Sequence, residues 1–299
     1  MTLQKQTLLS THALVLAAVM YVSSANNLAS GNVGYESRSR NDLETGVGLR
    51  QVVEIERATD DSTQKPNVVD KLARPPIRMN AGAVKFVKQF IKKNEEDLQK
   101  TEKRSTGLFN IIEPILAQYD IPKQLKYLAV IESNLKLNAR SHAGAVGLWQ
   151  LMSQTARELG LTVSGKVDER KNSYRSTKAA AKYLRALYKE YGDWLLVIAA
   201  YNSGPGVVNA AIKKSGSRNF WKLQSFLPGE TRAHVKRYIA VHYFFEEVGS
   251  ETTLTKAENT HYTKELLEYN CVIEELSKAK DTTVTVATNL ITNQEVANK

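Results

Sequence analysis

One carboxylate in this sequence stands where an apolar side chain is expected. Leu125, Leu128, Glu132 and Leu135 follow at intervals of 3, 4 and 3 residues, one face of an α-helix over 124–135. A carboxyl turned toward a core is desolvated, so its pKa rises and it keeps its proton near neutrality, the state a general acid needs. The plainer reading is a Glu that reaches water or pairs with a buried Arg. Positions 128, 129 and 135 hold no basic residue, and a partner from elsewhere in the chain stays open. A second segment, Ser141-His142-Ala143-Gly144-Ala145-Val146-Gly147-Leu148-Trp149-Gln150-Leu151-Met152, sets small residues before Gln150. Small residues let the backbone approach a ligand closely, and the Gln amide can both donate to and accept from a sugar hydroxyl or amide. Leu148, Trp149, Leu151 and Met152 read more simply as core. A third segment, Ala199-Ala200-Tyr201-Asn202-Ser203-Gly204-Pro205-Gly206, ends an apolar helix with a phenol and an amide. Those groups suit holding an alkoxide, a carbohydrate or the carboxyl of an acid catalyst. A core Tyr and a capping Asn would look the same.

The elements that must position these residues are nearly all helical. A helical pattern begins over 80–104 with Val84, Val87, Phe90, Ile91 and Leu98, and Phe109, Ile112, Ile115 and Leu116 form another set ending near Tyr119-Asp120. Pro122 fits the first turn of the next helix. An Ala-rich helix over 174–191 is closed by Gly192, and Trp194–Asn202 is almost wholly apolar and therefore buried. Ser203-Gly204-Pro205-Gly206 breaks that helix, Val207–Lys214 resumes, and Glu230–Val248 is followed by Gly249. No alternating strand occurs over 108–249. In the tail, 262–279 reads as a helix and Asp281–Thr292 alternates Val and Thr like a strand.

Composition narrows the classes. Of 299 residues, 42% are hydrophobic and 24% charged, an ordinary globular balance with enough apolar material for a core. Cys271 is the single cysteine, which excludes an intramolecular disulfide framework, and the 5 His show no metal-binding spacing. No metal and no cofactor are expected. The net charge of +10 is concentrated: residues 108–249 carry 20 basic and 11 acidic side chains, a net +9. A basic face implies an anionic partner, whether nucleic acid, lipid headgroups or an acidic wall polymer. Lys5, the apolar run Ala13–Val22 and the small residues Ser23-Ser24-Ala25 have the layout of a secretory signal peptide over 1–25, with a short uncleaved anchor as the alternative. An exported protein of the periplasm or cell envelope is expected, which disfavours nucleic acid. Residues 26–79 read as a disordered linker, 80–107 as a lead-in helix, 108–249 as the catalytic domain and 250–299 as a C-terminal extension of unknown role.

In their order and spacing, Ile131-Glu132-Ser133, Gly144–Met152 and Ala199–Gly204 resemble the lytic transglycosylase (SLT) domain of glycoside hydrolase family 23. Asp193-Trp194-Leu195-Leu196, Phe220-Trp221 and Leu227-Pro228-Gly229-Glu230-Thr231-Arg232 are most similar to its membrane-bound lytic murein transglycosylase D subgroup. The resemblance implies an all-α, lysozyme-like (SLT/goose-type lysozyme) fold and peptidoglycan glycan strands as substrate. It implies that Glu132 is the sole acid/base, cleaving the β-1,4 bond between N-acetylmuramic acid and N-acetylglucosamine to leave a 1,6-anhydro end. No water is consumed, so the second carboxylate of ordinary glycosidases is not needed, and none of the three motifs offers one. By the same resemblance Ser133, Gln150, Met152, Tyr201 and Asn202 line the cleft, Tyr201 lies near the carboxyl, and Gln150 contacts an N-acetyl sugar.

The chain departs from that family in four ways. Ser153 replaces the usual Pro and should serve as an N-cap. His234 stands where a cleft Tyr is usual and joins the substrate-binding set, with Tyr238 one turn on able to compensate. The lipid-attachment Cys and the wall-binding repeats are absent, so membrane or outer-surface association would be loose; a monomer is expected. Two alternatives remain: a goose-type lysozyme that positions water with Asp168, Asp193 or Glu230, and a catalytically silent peptidoglycan-binding module.

Overall fold

Asn80 opens the first helix. Its side chain accepts from the Gly82 N–H at 2.8 Å, and helix α1 then runs Ala81–Gln118. The computed structural model describes residues 74–297, with side chains to 278. The signal peptide read at 1–25 and the linker as far as 73 therefore lie outside the described residues. The two helical patterns read over 80–104 and 108–119 form a single helix of 38 residues. Ala83, Val87, Leu98, Thr101, Ser105, Phe109, Ile112, Ile115 and Leu116 make its buried stripe, continuous across Gly107. A glycine inside a helix costs only about 1 kcal/mol, which such a stripe offsets. Pro114 is carried inside the helix, which ends at Gln118.

The remaining helices are α2 (Lys126–Ser133), α3 (Ser153–Glu158), α4 (Ser173–Tyr191), α5 (Trp194–Ser203), α6 (Pro205–Ser215), α7 (Phe220–Leu223), α8 (Gly229–Glu246) and α9 (Lys256–Ala297). Among the described residues there is no strand, only isolated bridges such as Arg140–Val146 and Val146–Leu151. The all-α expectation holds. At the centre lies α5, buried at every residue from Trp194 to Ala200, which is why its sequence has no polar face. Asp193 caps it, accepting from the Leu195 and Leu196 N–H groups. Helix α8 packs on α1, α2 and α5, and α4 packs on α1 and α5. Gly192 closes α4 at φ 60°, as a left-handed C-terminal residue should.

Local readings shift in several places. Pro122 precedes a 3-10 turn at Lys123–Leu125 rather than entering α2. Ser153 is the first residue of α3, not its cap; Met152 occupies the cap position and makes no side-chain capping bond. Helix α8 ends at Glu246, with Glu247 left-handed at φ 61°, ahead of Gly249. The strand reading of Asp281–Thr292 is overturned, since α9 continues through it. β-Branched residues cost a helix only a few tenths of a kcal/mol each, and an established helix gains one bond per added residue.

The chain divides into two compact units. The described part of one is Pro76–His261, which holds every candidate site residue; the described part of the other is 74–75 and 262–297, helical over 262–297. No helix among the described residues is long and apolar enough to cross a membrane.

Candidate active site

Glu132 is the penultimate residue of α2, and the helix delivers it to the edge of the core. Lys126, Tyr127, Leu128, Ala129, Val130 and Ser133 are buried around it, and Asn134 and Leu135 then turn the chain with φ of 50° and 59°. The Glu132 side chain retains 14% exposure. Burial pushes its carboxyl pKa up to about 8, against the lowering influence of the Arg237 guanidinium; Glu230 adds a smaller push upward. A carboxyl so placed holds its proton at neutral pH while remaining partly open to solvent.

His234, from α8, lies on the buried side. Its Nε2 is 3.3 Å from Glu132 Oε1, and only 3% of its side chain is exposed. Burial, with Arg237 next in importance, drives the imidazole pKa down to about 3. At neutral pH the contact therefore joins two uncharged groups and is not an ion pair.

The loop that faces Glu132 is held from beneath by Arg170. This buried guanidinium spans both Asp168 carboxylate oxygens at 2.8 Å and donates to the carbonyls of Gly144 and Leu151 at 3.0 Å each. Gly147 is required where the loop crosses that support. Its φ is +86°, and a Cβ there would lie 2.0 Å from the Arg170 carbonyl oxygen. Gln150 then adopts φ 46°, and its amide nitrogen donates to the Gly147 carbonyl at 2.8 Å and to Ala139 at 3.3 Å. The Gln150 N–H₂ is thus engaged in shaping the loop, and its Oε1 is the atom left for a ligand donor. Met152 is 45% exposed, a solvent-facing position that contradicts its reading as core and suits a ligand contact.

The end of α5 closes the other side. Tyr201 donates to the Trp149 carbonyl at 2.7 Å, and burial is the largest cause of its raised pKa, with the nearby Glu132 charge second. Tyr201 is therefore a neutral phenol beside the carboxyl. Asn202 Oδ1 accepts from Thr231 at 2.9 Å, which fixes the amide and leaves its nitrogen to donate.

Two expected substrate contacts are placed elsewhere. Ser133 is buried, with its Oγ 3.0 Å from the Ala129 carbonyl and 2.9 Å from that of Leu148, so it ties α2 to the loop. Tyr238 is fully buried, and its phenol lies 2.7 Å from Thr252 Oγ1 and 3.2 Å from the Gln124 carbonyl. Although one helical turn from His234, Tyr238 directs its phenol to Thr252 and Gln124 rather than to the carboxyl. His234 faces Glu132 from behind.

The three carboxylates considered as water-positioning groups differ in availability. Asp168 is locked to Arg170, which holds its pKa below the usual range. Asp193 is spent on capping α5 and on the Lys256 N–H at 2.6 Å. Glu230 is exposed and pairs with Arg237. Sequence reasoning missed Arg170 and Arg237 altogether and gave Thr231 no role beyond its place in a family motif. Arg170 belongs to no helical stripe; its only local signal is Asp168 two residues away, a pattern too common to single it out.

Comparison with known proteins follows the same segments. Residues 109–224 match the family model of the transglycosylase SLT domain. The chain is 30% identical over 239 residues to the membrane-bound lytic murein transglycosylase D of Escherichia coli K12, an alignment covering 77% of this chain and 52% of that protein. It is 39% identical over 90 residues to the peptidoglycan transglycosylase gp16 of Escherichia phage T7, covering 29% of this chain and 7% of that one. Among solved structures, the 70 kDa soluble lytic transglycosylase of Escherichia coli is 20% identical, with a TM-score of 0.45, covering 71% of this chain and 38% of that chain. The chain spans about half the length of the curated murein transglycosylase D it matches.

Proposed function

We propose that the protein is a peptidoglycan lytic transglycosylase, a reading supported by the match of residues 109–224 to the family model of the transglycosylase SLT domain. The observation that carries this reading is the largely buried carboxyl of Glu132, which accepts no capping bond among the described residues, holds its proton at neutral pH and is flanked by a neutral phenol. Glu132 gives its proton to the oxygen of the β-1,4 bond between N-acetylmuramic acid and N-acetylglucosamine. That bond breaks, and the glucosamine residue leaves with a new hydroxyl. The Glu132 carboxylate then takes the proton of the muramoyl C6 hydroxyl while O6 bonds to C1, closing a 1,6-anhydro ring and restoring the acid. Atoms balance without water, which agrees with the engagement of Asp168 and Asp193 elsewhere.

In this reading Gln150 Oε1, the Asn202 amide nitrogen and Met152 line the glycan strand, and Tyr201 keeps the carboxyl in a low-dielectric setting. Ser133 and Tyr238 act through packing. The catalytic domain is 108–249, with 80–107 leading into it, and no nucleic acid is bound. Residues 1–25 export the chain, 26–79 form a linker ahead of the domain, and the monomer works in the periplasm or cell envelope, in loose contact with a membrane at most. The similarity to a membrane-bound murein transglycosylase supports that location.

The test is mass spectrometry of muropeptides released from purified peptidoglycan by the full chain and by Glu132→Gln. 1,6-Anhydro ends from the wild type and none from the variant are expected. Reducing ends would indicate a lysozyme-type hydrolase, with Glu230 the carboxylate to examine. Binding without any product would indicate a wall-binding module.

A further inference from the structure

Among the candidate site's polar side chains, His234 stands apart in having a buried polar atom with no bonded partner. Tyr201 is engaged with Trp149, Asn202 with Thr231, and Gln150 with Gly147 and Ala139. His234 Nε2 is buried and makes no hydrogen bond among the described residues, although Glu132 Oε1 is 3.3 Å away. A buried ring nitrogen without a partner is costly, and the nearest atom able to relieve it is that carboxyl oxygen. Catalytic hydrogen bonds are often long or poorly aligned before a ligand binds.

We propose that His234 is a positioning residue for Glu132: its Nε2–H donates to Oε1, reserving that oxygen as an acceptor and leaving the acidic proton on Oε2, toward the glycan. The assignment rests on the functional reading above and adds the way the acid is oriented. A neutral imidazole carries one N–H. If the proton sat on Nδ1, the Nε2 lone pair would draw the Glu132 proton to the buried side, where no substrate oxygen reaches. With the proton on Nε2, the same bond orients the acid before transfer and stabilises the carboxylate after it, while His234 stays uncharged throughout. The charged and titratable groups acting here are Arg237 and Glu230 from α8 itself, Glu132 from α2 and Tyr201 from α5. Arg237 disfavours a second proton on the imidazole, which keeps the ring a single donor.

The test compares His234→Leu and His234→Phe, which remove the donor, with His234→Gln, whose amide N–H can reach the position of Nε2. Thermal melts confirm that each variant is folded, and the second apolar variant serves if the first is not. Carboxyl ¹³C titration of Glu132 in the full chain is expected to show a higher midpoint by roughly one pH unit in the apolar variants, because a bond donated to the carboxylate favours the charged form. Restoration toward the wild-type midpoint is expected in His234→Gln. The imidazole ¹⁵N spectrum is expected to place the wild-type proton on Nε2. On peptidoglycan, the apolar variants should lose roughly 10- to 100-fold in kcat with KM little changed, as for one hydrogen bond to a charged group. Unchanged midpoints, a proton on Nδ1, a defect confined to KM, or a folded His234→Gln that restores nothing would each overturn the assignment. The titration needs no turnover. Midpoints that move as expected in a protein making no anhydro product would retain the pairing and reject the transglycosylase reading.

Discussion

The phenol of Tyr201 and the carbonyl of Trp149, 52 residues apart in sequence, meet at 2.7 Å and join the end of the central helix to the loop facing Glu132. The bond explains why a polar side chain ends an otherwise apolar helix, and why the Gly-rich loop has a defined shape above a buried carboxyl. Tyr201→Phe keeps the ring and leaves the Trp149 carbonyl without this donor. A loss of about 1–2 kcal/mol in denaturant unfolding is expected, together with a fall in kcat. Unchanged stability would show that water replaces the phenol.

Burial pushes the Glu132 carboxyl pKa up to about 8, and in the proposed reaction the carboxyl must be protonated to act as an acid. Activity on peptidoglycan should therefore hold through neutrality and fall as pH rises through about 8. The same shift bears on stability. Its folded pKa lies above the ordinary 4.5, so the folded state binds more protons than the unfolded state between those values, and stability declines as pH rises across that window. Glu132→Gln cannot lose a proton. It should be more stable than the wild type at pH 8, by roughly 4 kcal/mol at about 1.4 kcal/mol per pKa unit, and should show little advantage near pH 4. Unfolding in urea at both pH values checks the sign.

Arg170 bonds at once to Asp168 and to two loop carbonyls. Arg170→Lys keeps the charge but lacks the planar fork that makes these contacts together. We expect a loss of about 2–3 kcal/mol, since a paired buried charge and two carbonyls are left poorly satisfied. Activity should fall with it, because the loop carries Gln150. Urea unfolding and muropeptide release measured together test both parts.

Gly147→Ala forces a Cβ to within 2.0 Å of a backbone oxygen at φ +86°. Neither the backbone nor the rotamer can relieve this clash, so the variant should fold poorly or lose more than about 2 kcal/mol. By contrast, Gly144→Ala meets no atom within 4 Å and bears only the cost of its φ of +89°. The gap between the two melting temperatures measures the close approach itself.

Tyr238→Phe separates packing from catalysis. The phenol bonds with Thr252 in the core, so its loss should cost about 1 kcal/mol in stability and leave kcat close to the wild type. A large loss of kcat in a stable variant would return Tyr238 to the cleft.

Much of this arrangement is legible in the chain as written. The spacing of Leu125, Leu128, Glu132 and Leu135 places a carboxyl on an apolar face, and the packing then buries it and raises its pKa rather than letting it reach water. The uniformly apolar run from Trp194 requires a central helix, and Gly192 marks the end of the helix before it. These are properties of periodicity and caps, which act within a few residues. Tertiary structure decided what periodicity cannot: which side of a helix meets which neighbour, and which distant groups share a solvent-free space. It joined the two N-terminal helical patterns into α1 and carried α9 through a Val/Thr stretch that reads locally as a strand. It turned Tyr238 into the core and His234 toward Glu132, although they lie one turn apart on the same helix. It also placed Arg170 beneath a loop some twenty residues earlier in the chain. The reason is physical: hydrophobic burial selects a face but is indifferent to partners. Hydrogen bonds and charges select partners only once packing has brought them within about 3 Å.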